Sequence, residues 1–264
     1  MNAKLKNPDL FTRVISSIVM LFLGAVFLGI GGNVFKAILI LISAILAWEI
    51  LSFNNLHKHI RILTALFFAF IFAINILFSQ VLSLILLIVF LIFYKIIIKH
   101  NDYTQRAIYL ILIFFSLITL TDFRLEFGFV QTLWVICCVI ASDVGGYFVG
   151  RIVGGPKLWP IISPKKTWSG IIGGWLLTII ITYFFVTFFE EIEFYLLVFS
   201  VFISIFSQCG DLYESFLKRK AGRKDSSNLI PGHGGFLDRF DGMIGAFFAV
   251  FVIDFININN WIFL

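Results

Sequence analysis

Charge and cysteine are what this sequence has least of. Asp, Glu, Lys and Arg make up 13% of its 264 residues against 60% hydrophobic ones, and the mean hydropathy is +1.02. Soluble domains carry about 25% charged residues, so that class is excluded and a polytopic membrane protein is expected. The three cysteines, Cys137, Cys138 and Cys209, all fall inside apolar helical runs. Neighbouring Cys137 and Cys138 have poor geometry for a mutual bridge and no metal-like spacing occurs, which excludes a disulfide framework and a zinc site. No small-residue cleavage pattern follows the first apolar run, so it reads as a retained span and not as a signal peptide. No repeat relates the two halves, which weighs against an inverted-repeat transporter.

What the chain has is apolar helix. Runs of about twenty apolar residues, the length that crosses a bilayer, occupy 11–31, 34–53, 61–79, 80–98, 107–121, 129–149, 170–189, 193–217 and 240–258. The expected fold is therefore all-α, a single membrane-embedded unit of about nine transmembrane helices. Every second junction is basic: Lys4, Lys6 and Arg13; Lys58 and Arg61; Lys95, Lys99 and Arg106; Arg151, Lys157, Lys165 and Lys166; and then 218–239. The 190–193 turn is instead Glu-Glu-Ile-Glu. The positive-inside tendency places the N-terminus and the basic loops in the cytoplasm and the C-terminus outside. A net charge of +5 borne by such loops favours anionic lipid or phosphate partners; no nucleic-acid partner is expected.

Residues 1–106 read as scaffold helices. His57 and His59 lack metal-like partners, and Glu49, next to Trp48, reads as a solvated helix end. Chemistry is concentrated in 107–264. The densest polar cluster is 204–241, where Ser204, Gln208, Asp211, Ser215 and Lys218 follow at steps of three and four and draw one polar stripe down an oily helix. An acid several residues inside such a helix is costly in hydrocarbon and marks a site. Lys218-Arg219-Lys220, Arg223 and Lys224 then lead to Pro231-Gly232-His233-Gly234-Gly235, which breaks the helix, and Asp238, Arg239 and Asp241 open the next apolar run. Carboxylates to hold a divalent cation, with cationic side chains and bare glycine amides to hold phosphate oxygens, are what phosphate chemistry needs.

Two upstream stretches add to this. Asp143, Tyr147 and Arg151 share a helical face, while Gly146 and Gly150 are spaced for close helix packing. The compact, Pro-broken loop 154–169 sets Ser163, Lys165, Lys166 and Thr167 just before a helix, where free amides and the helix dipole suit an anion. Gly170, Gly173 and Gly174 come next and predict tight packing of the next span.

Taken together these motifs resemble the phosphatidate cytidylyltransferase, or CDP-diacylglycerol synthase, family. The resemblance is carried by Ser215-x-Leu217-Lys218-Arg219, Lys224-Asp225, Ser227, Ile230-Pro231, His233-Gly234-Gly235-Phe236 and Asp238-Arg239-Phe240-Asp241, with Asp143-x-Gly145-Gly146-Tyr147 and Ser163-Pro164-Lys165-Lys166-Thr167 upstream. It covers roughly the C-terminal half. Ser169 departs from it, standing where the family usually has Glu.

The resemblance implies that CTP and phosphatidate react to CDP-diacylglycerol and pyrophosphate. It implies Mg²⁺ on Asp211 and Asp238, with a second cation allowed for, and a homodimer; the basic loops put the expected site at the cytoplasmic face, and the short N-terminal segment suits a bacterial plasma membrane. Phosphatidate is a phosphate monoester with a second pKa of about 6, so it needs no general base, and His233 is given no proton-transfer role. That histidine either donates to phosphate or holds the loop. Lys165, Lys166, Lys218 and Arg219 are the expected phosphate clamps. Asp143, Ser163, Thr167, Ser215, Lys224, Gly234, Gly235 and Arg239 complete the expected substrate site, and Asp225 and Asp241 stand behind the metal ligands. Two alternatives remain open: a CTP-dependent lipid kinase, whose alcohol would want a base, and a transporter carrying ions on Asp143 and Asp211.

Overall fold

The computed structural model describes residues 8–54, 56–98, 103–189 and 195–255. Lys4, Lys6, Lys99, the acidic 190–193 turn and the C-terminal residues lie outside them, as does the side chain of Arg13. The described residues form nine helices: α1 (Pro8–Ile30), α2 (Gly32–Ser52), α3 (Lys58–Leu77), α4 (Gln80–Ile97), α5 (Tyr103–Glu126), α6 (Gly128–Ile152), α7 (Trp168–Phe188), α8 (Leu196–Lys220) and α9 (Leu237–Phe255). Seven of them, α2 to α8, are long and apolar enough to cross a membrane, which makes the fold all-α and polytopic. Helix α9 falls outside that class because it carries Asp238, Arg239, Asp241 and Asp254.

Several helices outrun the apolar stretches that predict them. Helix α5 extends through Thr104-Gln105-Arg106 at one end and Asp122 to Glu126 at the other, because apolar runs mark hydrocarbon while backbone hydrogen bonding continues into the polar boundary. At that far end Arg124 donates Nε and a terminal nitrogen to Leu28 O, at 2.9 and 2.7 Å, and closes the C-terminal turn of α1.

Between α6 and α7 the Pro-broken loop is ordered into a small antiparallel hairpin, β1 (Lys157–Trp159) with β2 (Ser163–Thr167), pairing Lys157 with Thr167 and Trp159 with Ser163. Thr167 then N-caps α7, its Oγ1 accepting from Gly170 N at 3.1 Å.

Lipid tails are as apolar as leucine, so helices in a membrane associate through close packing and hydrogen bonds. The α6–α7 pair shows the first. A Cβ on Gly145 would lie 2.6 Å from Gly173 O, and one on Gly170 2.7 Å from Gly146 O, so the two backbones touch as the glycine spacing predicts. Helices α8 and α9 meet in the same way, since a Cβ on Gly210 would lie 2.4 Å from Asp241 O. In the first half, Phe68, Phe72, Phe90, Tyr94 and Phe114 from α3, α4 and α5 form a fully buried aromatic core.

One end of the bundle gathers the C-termini of α2, α4, α6 and α8 with the N-termini of α3, α5, α7 and α9. Hydrogen bonds tie it together there: Tyr213 OH to Gln105 O at 3.0 Å, Lys220 Nζ to Gln105 Oε1 at 2.5 Å, Arg223 to Ser52 Oγ at 3.0 Å, and Asn54 to Tyr94 OH at 2.9 Å. Ser16 of α1 reaches the same end and donates to Pro231 O at 3.1 Å. Every junction predicted to be basic, so far as it is described, lies at this end.

Candidate active site

The stripe on α8 is a continuous ladder in space. Ser204 Oγ donates to Ser142 Oγ of α6 at 2.7 Å, and Gln208 reaches Ser142 Oγ at 3.1 Å and Ile171 O of α7 at 3.3 Å. One turn on, Asp211 forms an ion pair with Lys166 of β2 and accepts from Ser215 Oγ at 3.3 Å. A further turn on, Lys218 Nζ stands between two acids, Glu214 Oε2 of its own helix and Asp238 Oδ1 of α9 at 2.6 Å. The polar groups that hold α6, α7 and α8 together thus grade into charged groups toward the gathered end.

Asp211, Glu214 and Asp241 converge. Each offers a carboxylate oxygen, and the three oxygens lie within 4.8 Å of one another. The close approach at Gly210 causes this, because it presses the backbone beside Asp211 onto the Asp241 carbonyl. Octahedral oxygen ligands about 2.1 Å from an ion sit about 3 to 4 Å apart, so a small contraction brings this trio onto one hard cation. Glu214 is fully buried, and its Oε1 has no hydrogen-bond partner among the described residues. A buried carboxylate oxygen left so is costly, and a bound cation removes that cost. All-oxygen donors fit a hard divalent ion.

Asp238, expected beside Asp211, has both oxygens engaged elsewhere. Besides Lys218 it accepts from Ser226 N at 2.9 Å, Ser226 Oγ at 3.1 Å and Gly235 N at 2.7 Å. The Gly235 amide, expected to hold phosphate, is therefore held by a carboxylate. Gly234, at φ +85°, adopts a left-handed turn in which a Cβ would meet Asp238 Oδ2 at 2.7 Å.

Of the expected cations, Lys166 and Lys218 are paired with these acids. Asp143, with an exposed side chain, lies within electrostatic reach of Asp211, Lys166 and Arg239. Lys165 is exposed, and Ser163 half-buried beside it. Arg219 is exposed and closes the end of α8 by donating to Arg223 O at 3.0 Å. The loop after α8 borders an open polar cleft of about 640 Å³ lined by Lys224, Asp225, Asn228, His233, Gly234 and Arg239, a size that holds a small-molecule ligand. Arg239 donates to His233 O at 2.8 Å and so braces the glycine turn.

A model of the cytidylyltransferase family matches residues 11–257. The chain belongs to that family. Over 134 residues it is 45% identical to a phosphatidate cytidylyltransferase of Staphylococcus haemolyticus, a match covering 50% of this chain and 49% of the relative. A Bacillus subtilis phosphatidate cytidylyltransferase is 39% identical over 147 residues, 53% of each chain, and one from Brucella suis 42% identical over 135 residues, 50% of each. The chain spans about half the length of the curated relatives it matches.

Two acids outside the expected site also stand at this end. Glu49, read as a solvated helix end, is fully buried at the gathered end and bonds to the loop before α9. Glu214 belongs to none of the motifs; its one signal in the sequence is its position four residues before Lys218, a spacing at which opposite charges pair on a helix. Ser169 faces the hairpin, donating to Gly154 O and bonding Thr167 Oγ1 at 3.0 Å.

Proposed function

We propose that this chain transfers the cytidylyl group of CTP to phosphatidate, releasing pyrophosphate. The observation that carries this reading is the meeting, at one end of an apolar bundle, of the Asp211–Glu214–Asp241 trio with Lys166 and Arg239, beside a polar cavity large enough for a nucleotide. An amphiphilic acceptor and a water-soluble polyanion both reach such a boundary.

A lipid phosphate oxygen bonds to the α-phosphorus of CTP, and the bond from that phosphorus to the bridging oxygen of the leaving pyrophosphate breaks. The attacking monoester is already largely ionised, so no side chain has to take a proton, and the turn is braced by Arg239 on the main-chain carbonyl of His233. The protein's work is to hold two anions in line and to offset charge on the leaving group. Lys166, Arg239 and Lys224 would do this, joined by Lys165 and Arg219 when substrate is bound, and Asp143 would keep Lys166 and Arg239 at the site. Asp211, Glu214 and Asp241 would hold Mg²⁺, whose chemistry is to neutralise phosphate oxygens. Asp238 and Ser215 orient Lys218 and Asp211, and Ser163 and Thr167 shape the hairpin that presents Lys166.

The deciding experiment follows products from the purified chain in detergent with CTP, phosphatidate and Mg²⁺. Cytidylyl transfer yields nucleotide-linked lipid and pyrophosphate in equal amounts. A lipid kinase yields CDP, and a transporter yields neither; either result overturns the proposal.

The orientation proposed is nine spans with the gathered end in the cytoplasm. In a cysteine-free background, Ile161→Cys in the hairpin and Lys224→Cys in the cavity loop, both exposed, are expected to react with impermeant thiol reagents from the cytoplasmic side alone. Labelling of the two from opposite faces rules the arrangement out.

A further inference from the structure

The buried carboxylate of Glu49 is used by none of the chemistry above. It accepts from Ser226 Oγ at 3.1 Å, from Ser227 Oγ, from Phe236 N at 2.9 Å and from Leu237 N at 2.5 Å, so both oxygens are filled. The last two donors are the amides at the entrance of α9, where a helix has free N–H groups and the positive end of its dipole. A capping side chain ordinarily comes from the residue just before the helix. Here the preceding residues include Gly234 and Gly235, and the cap arrives from α2, separated by 187 and 188 residues in sequence. Gly235 has no side chain for a matching reason: a Cβ there would lie 2.5 Å from Glu49 Oε1 and 1.8 Å from Ser226 Oγ. The glycine and the glutamate are two halves of one fit.

We propose that Glu49 is a positioning residue that caps α9 from α2 and thereby aims Asp238, Arg239 and Asp241 at the reaction site, a role that rests on the cytidylyl-transfer reading. The first turn of α9 carries all three residues, so the direction of its entry sets where they stand relative to Asp211 and Glu214. Ser226 strengthens the link, since its hydroxyl is 3.1 Å from both Glu49 Oε2 and Asp238 Oδ2. The first-half helices thus supply part of the machinery as well as support.

Glu49→Asp separates aiming from burial. It keeps the charge but draws the carboxylate back by one C–C bond, about 1.5 Å, out of reach of the α9 amides. The full chain in detergent is expected to stay folded by circular dichroism, lose at least about tenfold in kcat and bind Mn²⁺ at least about fivefold more weakly by electron paramagnetic resonance. KM for CTP is expected to move less than kcat, because of the cavity's cations only Arg239 rides on the first turn of α9 and Lys224 does not. Gly235→Ala, which leaves Glu49 in place but crowds its carboxylate, is expected to reproduce both losses. A folded Glu49→Asp or Gly235→Ala with wild-type kcat and Mn²⁺ affinity overturns the proposal, so failure of one variant to fold leaves the other to decide. A wild-type chain that binds Mn²⁺ but forms no nucleotide-linked lipid sinks the reaction instead, and the Mn²⁺ measurement still tests Glu49.

Discussion

Asp211→Asn and Asp241→Asn are each expected to lower turnover by on the order of a hundredfold or more, the usual consequence of removing charge that stabilises a transition state. Asparagine keeps the size of the side chain, so α8 and α9 still meet at Gly210 and the fold is retained. The trio, though, is left with two charged members around a site whose oxygens lie within 4.8 Å of one another. Asp225→Asn, on the exposed cavity wall and outside the trio, is expected to cost less than about tenfold, under 1.4 kcal/mol in barrier. Turnover of each purified variant measured against Mg²⁺ concentration checks this. Wild-type turnover and unchanged Mg²⁺ dependence in Asp241→Asn would remove Asp241 from the cation site and return the choice of partner for Asp211 to Asp238.

How far the site can be read from sequence depends on how far apart its partners lie. The α8 stripe is legible because its members recur every three or four residues against an apolar background, and each is found on the face that meets α6, β2 or α9. Close packing of α6 on α7 is legible for the same reason, from glycines at helical spacing. Glu49 is not. Its four donors lie 177 to 188 residues away, and its local setting beside Trp48 at a helix end is that of a solvated acid. The hairpin is hidden because strands of three and five residues, broken by Pro160 and Pro164, show no alternation. The choice of Asp241 over Asp238 as neighbour of Asp211 depends on a backbone contact between two helices, which no spacing along one helix encodes.

The glycine turn changes its role once such distant partners are in place. From sequence, Gly234 and Gly235 offer bare amides to phosphate. In the fold, the amide of Gly235 goes to Asp238, and the empty side-chain space at both positions is filled by Asp238 and Glu49. Two buried carboxylates thus order the turn from inside, which leaves the cavity side to Lys224, His233 and Arg239. The turn's rigidity is thus supplied from its inner face, and its outer face is the one proposed to meet anions.

Lys218→Met is expected to produce the largest loss of stability. The ammonium sits between Glu214 and Asp238, with side-chain exposures of 10%, 0% and 7% for the lysine and the two acids. Bringing three charges out of water is expensive, and the arrangement is tolerable because the central cation answers both anions. Removing one partner of a buried pair costs ~3–5 kcal/mol, since it leaves uncompensated charge behind. Here two carboxylates are stranded, and one of them, Asp238, also holds the loop through Ser226 and Gly235. The thermal midpoint in detergent is expected to fall by roughly 10 °C, at about 2–4 °C per kcal/mol for a chain of this size. If stranded charge is the cause, neutralising it should restore the fold: Lys218→Met combined with Glu214→Gln and Asp238→Asn is expected to recover most of the midpoint while remaining inactive. Activity stays lost because Glu214 is then missing from the trio and the loop from its anchor. A single Lys218→Met that melts with the wild type would show that Glu214 and Asp238 need no cation between them, and the lysine would then be free to serve phosphate directly.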